Sequence, residues 1–160
     1  MTSVNALDLK AYIVNAVGDV FDTMLSMEVQ SVEGHAMEKR NRNYIVGSVG
    51  FAGKVMGNLN LCVEEAFARR MTAAMLDIKI EDSIDESEIH DVIGELCNMI
   101  CGGLKSRLCD YGLACELSIP SVTVGKEFKI EPKGWDRSER YEFCNHQDTA
   151  RVETYIKSGN

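Results

Sequence analysis

One face of a predicted helix carries polar residues at a spacing that suits the binding of another molecule. Over residues 86–111, an advance of about 100° per residue places Asp91, Glu95, Asn98 and Gly102 within a sector of roughly 60°. Glu95 and Asn98 put a carboxylate and a carboxamide one turn apart, and Gly102 adds no side-chain bulk, so another molecule could approach the backbone there. An ordinary solvated polar face gives the same pattern, and that alternative stays open here.

Other residue types that commonly do chemistry lack the spacing for it. His90 has no Cys or Asp partner at metal-ligand spacing. The glycines of the segment 47–57 match neither GxGxxG nor GxxxxGK[ST], so tight strand packing is predicted rather than phosphate binding. The cysteines form no CxxC pair and fit no zinc ribbon, so we expect small core residues, with Cys97 and Cys101 as an alternative redox pair. They stand at positions 62, 97, 101, 109, 115 and 144.

Size and charge exclude several classes of function. The chain has 160 residues, a formal net charge of −8 and 45% hydrophobic residues, which indicates one folded domain over 1–160 rather than a disordered chain. The acidic balance and a single short basic cluster at 39–42 argue against a nucleic-acid partner. No stretch approaches the ~18 apolar residues of a membrane span. The opening MTSVNALDLK lacks the features of a secretion signal, so we expect a cytoplasmic protein.

Helical and strand-like patterns predict an α+β fold. Apolar residues recur every three or four positions in three segments, which predicts helices at 9–27, 64–76 and 86–111. The third helix has cap signals at Ser83 and Asp85, and Gly112 closes it. Alternating or apolar runs suit strands of an antiparallel sheet, with the first two joined as a hairpin and a further short strand fitting within 28–43. These runs are 43–51, 54–62, 114–119, 121–124, 127–130, 141–145 and 151–156. Such a sheet would carry the long helices on one side.

The first and third helices look like copies of each other. VGDVFDTM at 17–24 aligns with IGELCNMI at 93–100, so Asp19 stands where Glu95 does and Asp22 replaces Asn98. The window is short, and amphipathic helices share some periodicity, so the repeat alone indicates little.

The segment DVIGELCN at 91–98, followed by Pro120 in LSIPSVTVG, resembles the signature of the CheX/CheC/FliY chemotaxis phosphatases. That signature is an acidic or Ser position, three residues, Glu, two residues, Asn, and a Pro 22 residues further on, and Asp91, Glu95, Asn98 and Pro120 match all four positions. The likeness extends through VGDVFDTML, IVGSVGFAGKVMGNLNL and PSVTVG, up to about residue 129. The resemblance implies a pseudosymmetric, CheC-like fold.

The resemblance also implies a reaction and a role for each site residue. The expected enzyme removes phosphate from the aspartyl phosphate of a CheY-like response regulator. Asn98 would enter the partner's active site and position the attacking water, which an amide does without ionising. Glu95 would pair with a lysine of the regulator. Asp91, Gly102 and Pro120 would be partner-binding residues, with a solvated Asp91, a helix-packing Gly102 and a turn-shaping Pro120 as alternatives. Mg²⁺ would belong to the regulator, so no cofactor is expected in this chain.

The departures of the first helix from the signature predict one site per chain. Asp22 replaces the Asn, and Tyr44 stands where the Pro would be, so the resemblance is to the CheX type, whose members carry one motif and dimerise through strands near the sheet edge. One of the alternating runs at 140–146 and 149–157 is expected to supply that edge. The alternative function is a non-catalytic adaptor that binds a regulator or another signalling component through the same helix face.

Overall fold

Three α-helices and seven β-strands make up the part of the chain that the computed structural model describes, which is residues 3–33, 42–79, 83–126 and 133–159. All three helices and the hairpin fall where the sequence predicts them. The strand predicted at 127–130 and most of the basic cluster at 39–42 lie outside the described residues. The helices are α1 (Leu9–Leu25), α2 (Glu65–Leu76) and α3 (Glu86–Asp110). The strands are β1 (Gln30–Val32), β2 (Tyr44–Gly53), β3 (Val55–Glu64), β4 (Cys115–Leu117), β5 (Ser121–Gly125), β6 (Arg137–Asn145) and β7 (Asp148–Ser158).

The strands form one antiparallel sheet in the order β1-β6-β7-β3-β2. The outer edge of β2 pairs with two short strands, β5 along 44–48 and β4 along 51–53. Of the two alternating runs that the sequence offers as an edge strand, the later one forms β7 in the middle of the sheet. The earlier one forms β6, which pairs with β1 only over 142–144. Within the described residues, no strand pairs with the remaining edge of β6 at 137–141.

The helices pack on one face of this sheet, as predicted, because one side of each helix and alternate residues of the central strands are apolar. β2 approaches α3 closely at Gly47, where an added Cβ would lie 3.0 Å from the Cβ of Cys97 and 3.1 Å from the carbonyl oxygen of Ile93. At Gly57 an added Cβ would meet the ring of Phe51. The prediction that these glycines serve strand packing is confirmed. The largest fully buried side chains are Phe21, Phe67, Phe143, Leu9, Ile13, Leu59, Leu61, Met71, Ile89, Ile93, Leu96 and Ile100.

Both ends of α3 are capped by the residues that the sequence indicates. Of the two possible N-caps, Asp85 is used, and its backbone N–H donates to Oε1 of Glu88 at 3.4 Å. At the other end Gly112 takes a positive φ of 79°. The N–H of Leu113 then donates to the Leu108 carbonyl at 2.9 Å, which completes a Schellman motif. The caps fix where the polar face of α3 begins and ends.

The face of the sheet away from the helices buries charged side chains. Arg151 on β7 pairs with Glu153 at 2.9 Å, and their side chains are only 11% and 10% exposed. Glu142 on β6 stands directly across from Arg151 and is 3% exposed. The Tyr155 hydroxyl donates to Glu153 at 3.0 Å, and burial, followed by the charge of Glu153, raises the pKa of Tyr155. Arg151 therefore pairs with one buried carboxylate, Glu153, and stands across the strand pair from a second, Glu142.

Four of the six cysteines are buried, but Cys109 is exposed and Cys144 is half-buried, so the expectation that all are core residues is wrong for these two. Cys109 lies in the last turn of α3, where its position faces solvent. Burial raises the pKa of Cys97 to about 12 and that of Cys62 to about 11. The buried thiols are thus both shielded and protonated near neutral pH.

We expect brief maleimide treatment of the native protein at pH 8 to label Cys109 first and Cys144 more slowly. Cys62 and Cys97 should stay unlabelled, because the thiolate is the reacting form and their raised pKa values leave little of it. Mass spectrometry of peptides after labelling measures this, and labelling in denaturant, where all six thiols should react, is the control. Rapid native labelling of Cys97 would contradict the prediction.

Candidate functional site

α3 divides into a buried side and a polar side, as its sequence predicts. Ile93, Leu96 and Ile100 are fully buried. On the other side, Glu95 is exposed and Asn98 is half-buried. With a rise of about 1.5 Å per residue, the two positions are separated by roughly 4.5 Å along the helix axis. A carboxylate and a carboxamide therefore project beside each other from a helix whose reverse side is held by the core.

A wall stands beside this face. It is formed by residues 118–122, which run from the end of β4 into the start of β5. A Cβ added at Gly94 would lie 3.4 Å from Cγ2 of Val122 and 3.7 Å from the Cβ of Pro120, so both residues contact the helix next to Glu95. The wall is fixed to β2 because the backbone N–H of Ser118 donates to the Gly50 carbonyl at 2.8 Å, and the N–H of Gly50 donates to the Ser118 hydroxyl at 2.9 Å. Pro120 therefore packs against the helix, which is consistent with a role in shaping the site.

A shallow pocket of about 350 Å³ opens between the wall and the helix. It brings together three of the predicted site residues, Asp91, Glu95 and Pro120. Asn98 and Gly102 lie further along α3 and are not part of its lining. His90, which the sequence analysis gave no role, also lines the pocket, and no spacing pattern in the sequence marks it. The full lining is His90, Asp91, Gly94, Glu95, Pro120 and Val122.

The site is acidic, and its charges are not neutralised from within. Asp91 and Glu95 are exposed, and neither makes a side-chain hydrogen bond or ion pair with any residue in the part of the chain that the structure describes. Lys105, further along the same helix, pairs with Glu116 of β4 at 3.3 Å. Two carboxylates are therefore available to a cationic group from outside.

The two adjacent glycines of α3 have different surroundings. A Cβ added at Gly103 would lie 2.9 Å from the Cβ of Ala16 on α1, so Gly103 permits the contact between the two helices. A Cβ added at Gly102 would meet nothing within 4 Å. Helix packing thus accounts for Gly103 but not for Gly102, which leaves open space on the polar face next to Asn98.

Among the described residues, no wall stands beside the matching face of α1. Asp19 and Asp22 are exposed there. A Cβ added at Gly18, the counterpart of Gly94, would meet nothing within 4 Å. Tyr44, which stands where the Pro of the signature would be, is buried in β2. The described residues thus form a walled site on α3 and an open face on α1.

Comparison with known proteins identifies the family. Residues 45–144 match the family model described as chemotaxis phosphatase CheX, which is well over half of the chain. This chain belongs to the CheX family. The CheY-P phosphatase CheX of Thermotoga maritima is 28% identical over 133 residues, with 79% of this chain and 84% of that protein covered.

Solved structures share the fold of this CheX-family chain. The crystal structure of chemotaxis protein CheX from Vibrio vulnificus has a TM-score of 0.79 and 22% identity, covering 94% of this chain and 100% of that one. The CheX of a CheX–CheY–BeF₃–Mg²⁺ complex from Borrelia burgdorferi has a TM-score of 0.72 and 19% identity, covering 94% and 99%. The α+β, CheC-like fold expected from the sequence is confirmed.

The described residues contain neither a metal-ligand cluster nor a helix that could span a membrane. Over 3–33, 42–79, 83–126 and 133–159, no group of three or more His, Cys, Asp or Glu side chains is placed to hold a metal ion. Within the same ranges, no helix is long and apolar enough to cross a bilayer.

Proposed function

We propose that this CheX-family protein dephosphorylates the aspartyl phosphate of a CheY-like response regulator in the cytoplasm. The observation that carries the proposal is the polar face of α3, where Glu95 and Asn98 project one turn apart beside the wall that contains Pro120. The name of the Thermotoga maritima relative, a CheY-P phosphatase, and the presence of CheY in the Borrelia burgdorferi complex support the choice of substrate.

In the proposed mechanism Asn98 enters the regulator's active site and holds the water that attacks phosphorus. The water forms a bond to phosphorus, the bond to the regulator's aspartate breaks, and inorganic phosphate and a free carboxylate result. A neutral amide suits this position because a carboxylate would repel the phosphoryl anion at close range. Positioning the water contributes mainly by lowering the entropic cost of its attack. The Mg²⁺ that neutralises phosphoryl charge would be held by the regulator.

Glu95 would pair with a lysine of the regulator and so set how far Asn98 enters. Because Glu95 has no ion pair with the described residues, docking would break no existing contact of its carboxylate. Asp91 would add negative charge on the same side, and the open space at Gly102 would let the partner's backbone come close. Pro120 would hold the wall against α3 rather than touch the substrate.

The test of this proposal is the lifetime of a phosphorylated CheY-like regulator from the same organism. We expect the protein, at a concentration well below that of the regulator, to shorten that lifetime through repeated turnover. An unchanged or longer lifetime, together with co-migration of the two proteins, would favour the adaptor instead.

We expect Glu95→Gln to raise KM for the phosphorylated regulator about tenfold and to leave kcat within a factor of about two. The substitution removes the charge from a charge-assisted hydrogen bond, which is worth roughly 1.5–3 kcal/mol. Initial rates over a range of regulator concentrations measure both constants. Asp19→Asn on α1 is the matched control, because Asp19 is an exposed carboxylate at the corresponding helix position. An unchanged KM for Glu95→Gln would remove the docking role.

We also propose that the protein is a homodimer that pairs through the outer edge of β6. The proposal is supported by the likeness to the CheX type and by the side of β6 at 137–141 that faces away from β7, on which no strand pairs among the described residues. Light scattering on the purified protein tests it, since a mass near the 17.8 kDa of one chain would contradict a dimer.

A further inference from the structure

One large apolar side chain beside the site stands almost entirely in solvent. Ile119 is 90% exposed, whereas the next most exposed large apolar side chain among the described residues, Val124, is 53% exposed. Scattered apolar residues on a surface are common and need no explanation by themselves. The exposure of Ile119 does need an explanation, because its backbone is fixed on both sides and it lies next to the candidate site.

The backbone on both sides of Ile119 is fixed. Ser118 makes two hydrogen bonds to Gly50 of β2, at 2.8 and 2.9 Å. Pro120, on the other side, packs against α3 at Gly94. A residue held in this way loses little further backbone freedom on binding, which lowers the entropic cost of a contact made by its side chain.

Ile119 is also continuous with the proposed docking face. Its neighbour Pro120 lines the pocket that Glu95 lines, and Val122 extends the apolar wall along β5. Protein interfaces typically combine an apolar anchor with polar groups that set orientation. On α3 the polar groups are present, but the exposed residues that flank Asn98 on that face offer little apolar area.

We infer that Ile119 is a specificity-determining residue that inserts into an apolar patch on the response regulator when Glu95 and Asn98 engage. This inference rests on the proposed function. The partner is the regulator because Ile119 directly precedes Pro120, which lines the same pocket as Glu95, so a molecule docked on that pocket lies next to position 119. The anchor acts equally on bound substrate and transition state, so it contributes to affinity and not to the chemical step.

The test separates affinity from chemistry through KM and kcat. Ile119→Ala should raise KM for the phosphorylated regulator roughly tenfold, as expected for losing most of a buried isoleucine side chain, and leave kcat unchanged. Ile119→Leu should restore KM to near the native value, because it keeps the apolar area. An unchanged KM for Ile119→Ala, or a fall in kcat alone, would overturn the inference.

The matched control is Met56→Ala. Met56 is an apolar residue, 39% exposed, and it follows the core residue Val55 on β3, so its side chain points to the opposite face of the sheet, away from the helices. Its replacement should leave both constants unchanged. The unfolding temperatures of all three variants confirm that they fold.

Direct binding distinguishes failure of this inference from failure of the proposed catalysis. If the native protein binds a BeF₃-loaded CheY-like regulator without accelerating phosphate loss, the phosphatase proposal fails. Weaker binding by Ile119→Ala would still support the anchor, and equal binding would overturn it. Absence of any binding by the native protein would overturn both.

Discussion

Asn98→Ala is expected to lower kcat for dephosphorylation of the regulator by about 10²- to 10³-fold, the usual cost of removing one pre-positioned hydrogen-bonding group from a reacting centre. Affinity for the regulator should change little, because Asn98 is half-buried on α3 and exposed Glu95 supplies the proposed ionic contact. Stopped-flow decay of the phosphorylated regulator measures kcat, and titration with the BeF₃-loaded form measures affinity.

Two further substitutions make this prediction specific. Asn98→Asp keeps the shape of the side chain and adds a negative charge, so it should lower kcat at least as far by repelling the phosphoryl group. Asp22→Ala changes the corresponding position of α1, beside which the described part of the chain forms no wall, and should have no effect. Full activity of Asn98→Ala would rule out its proposed role. A loss caused by Asp22→Ala would place a second site on α1.

The largest expected loss of stability comes from Arg151→Met. The substitution removes the guanidinium that pairs with Glu153 at 2.9 Å and stands across the strand pair from Glu142, and these two carboxylate residues are only 8% and 3% exposed. Removing one partner of a buried ion pair typically lowers the free energy of unfolding by about 3 kcal/mol or more. Chemical denaturation followed by circular dichroism measures the change.

An exposed ion pair that also involves the start of β7 provides the comparison. Arg70 pairs with Asp148, but its side chain is 44% exposed, so Arg70→Met should cost under about 1 kcal/mol. Adding Glu153→Gln to Arg151→Met should recover part of the loss, because it removes the charge of the buried carboxylate that Arg151 pairs with. Equal effects of Arg70→Met and Arg151→Met would show that burial of the ion pair does not matter.

Periodicity predicted the helices and the hairpin because those patterns depend on neighbours in the sequence. The central position of β7 could not be predicted in this way, since strand order depends on contacts between residues far apart along the chain. The burial of Arg151 and Glu153 could not be predicted either, because it too depends on contacts between residues far apart along the chain. Alternation marks them as the outward side of a strand and so predicts exposure, yet both are buried in the structure.

For the site, helical spacing placed Glu95 and Asn98 on one face, and the family likeness added Pro120. Helical spacing could not show whether a glycine on α3 permits packing against another helix or leaves space for a partner. The answer depends on which residues lie opposite the glycine in the folded protein. Ala16 of α1 lies close to Gly103, and nothing lies close to Gly102. No spacing pattern marks His90, and Ile119 ends the run 114–119 that was predicted as a strand, whereas β4 ends at Leu117. Their places beside the pocket therefore became visible only when β4 and β5 were positioned against α3.

The position of β7 in the middle of the sheet has a consequence for the order of folding. The β2–β3 hairpin on one side and β1 with β6 on the other are joined only through β7, the last strand along the described chain. On a ribosome, the long inner edge of β3 would therefore remain unpaired until residues 148–158 had emerged. Closure of the sheet should accordingly be a late and cooperative event, and the nascent chain should be most prone to aggregation just before it.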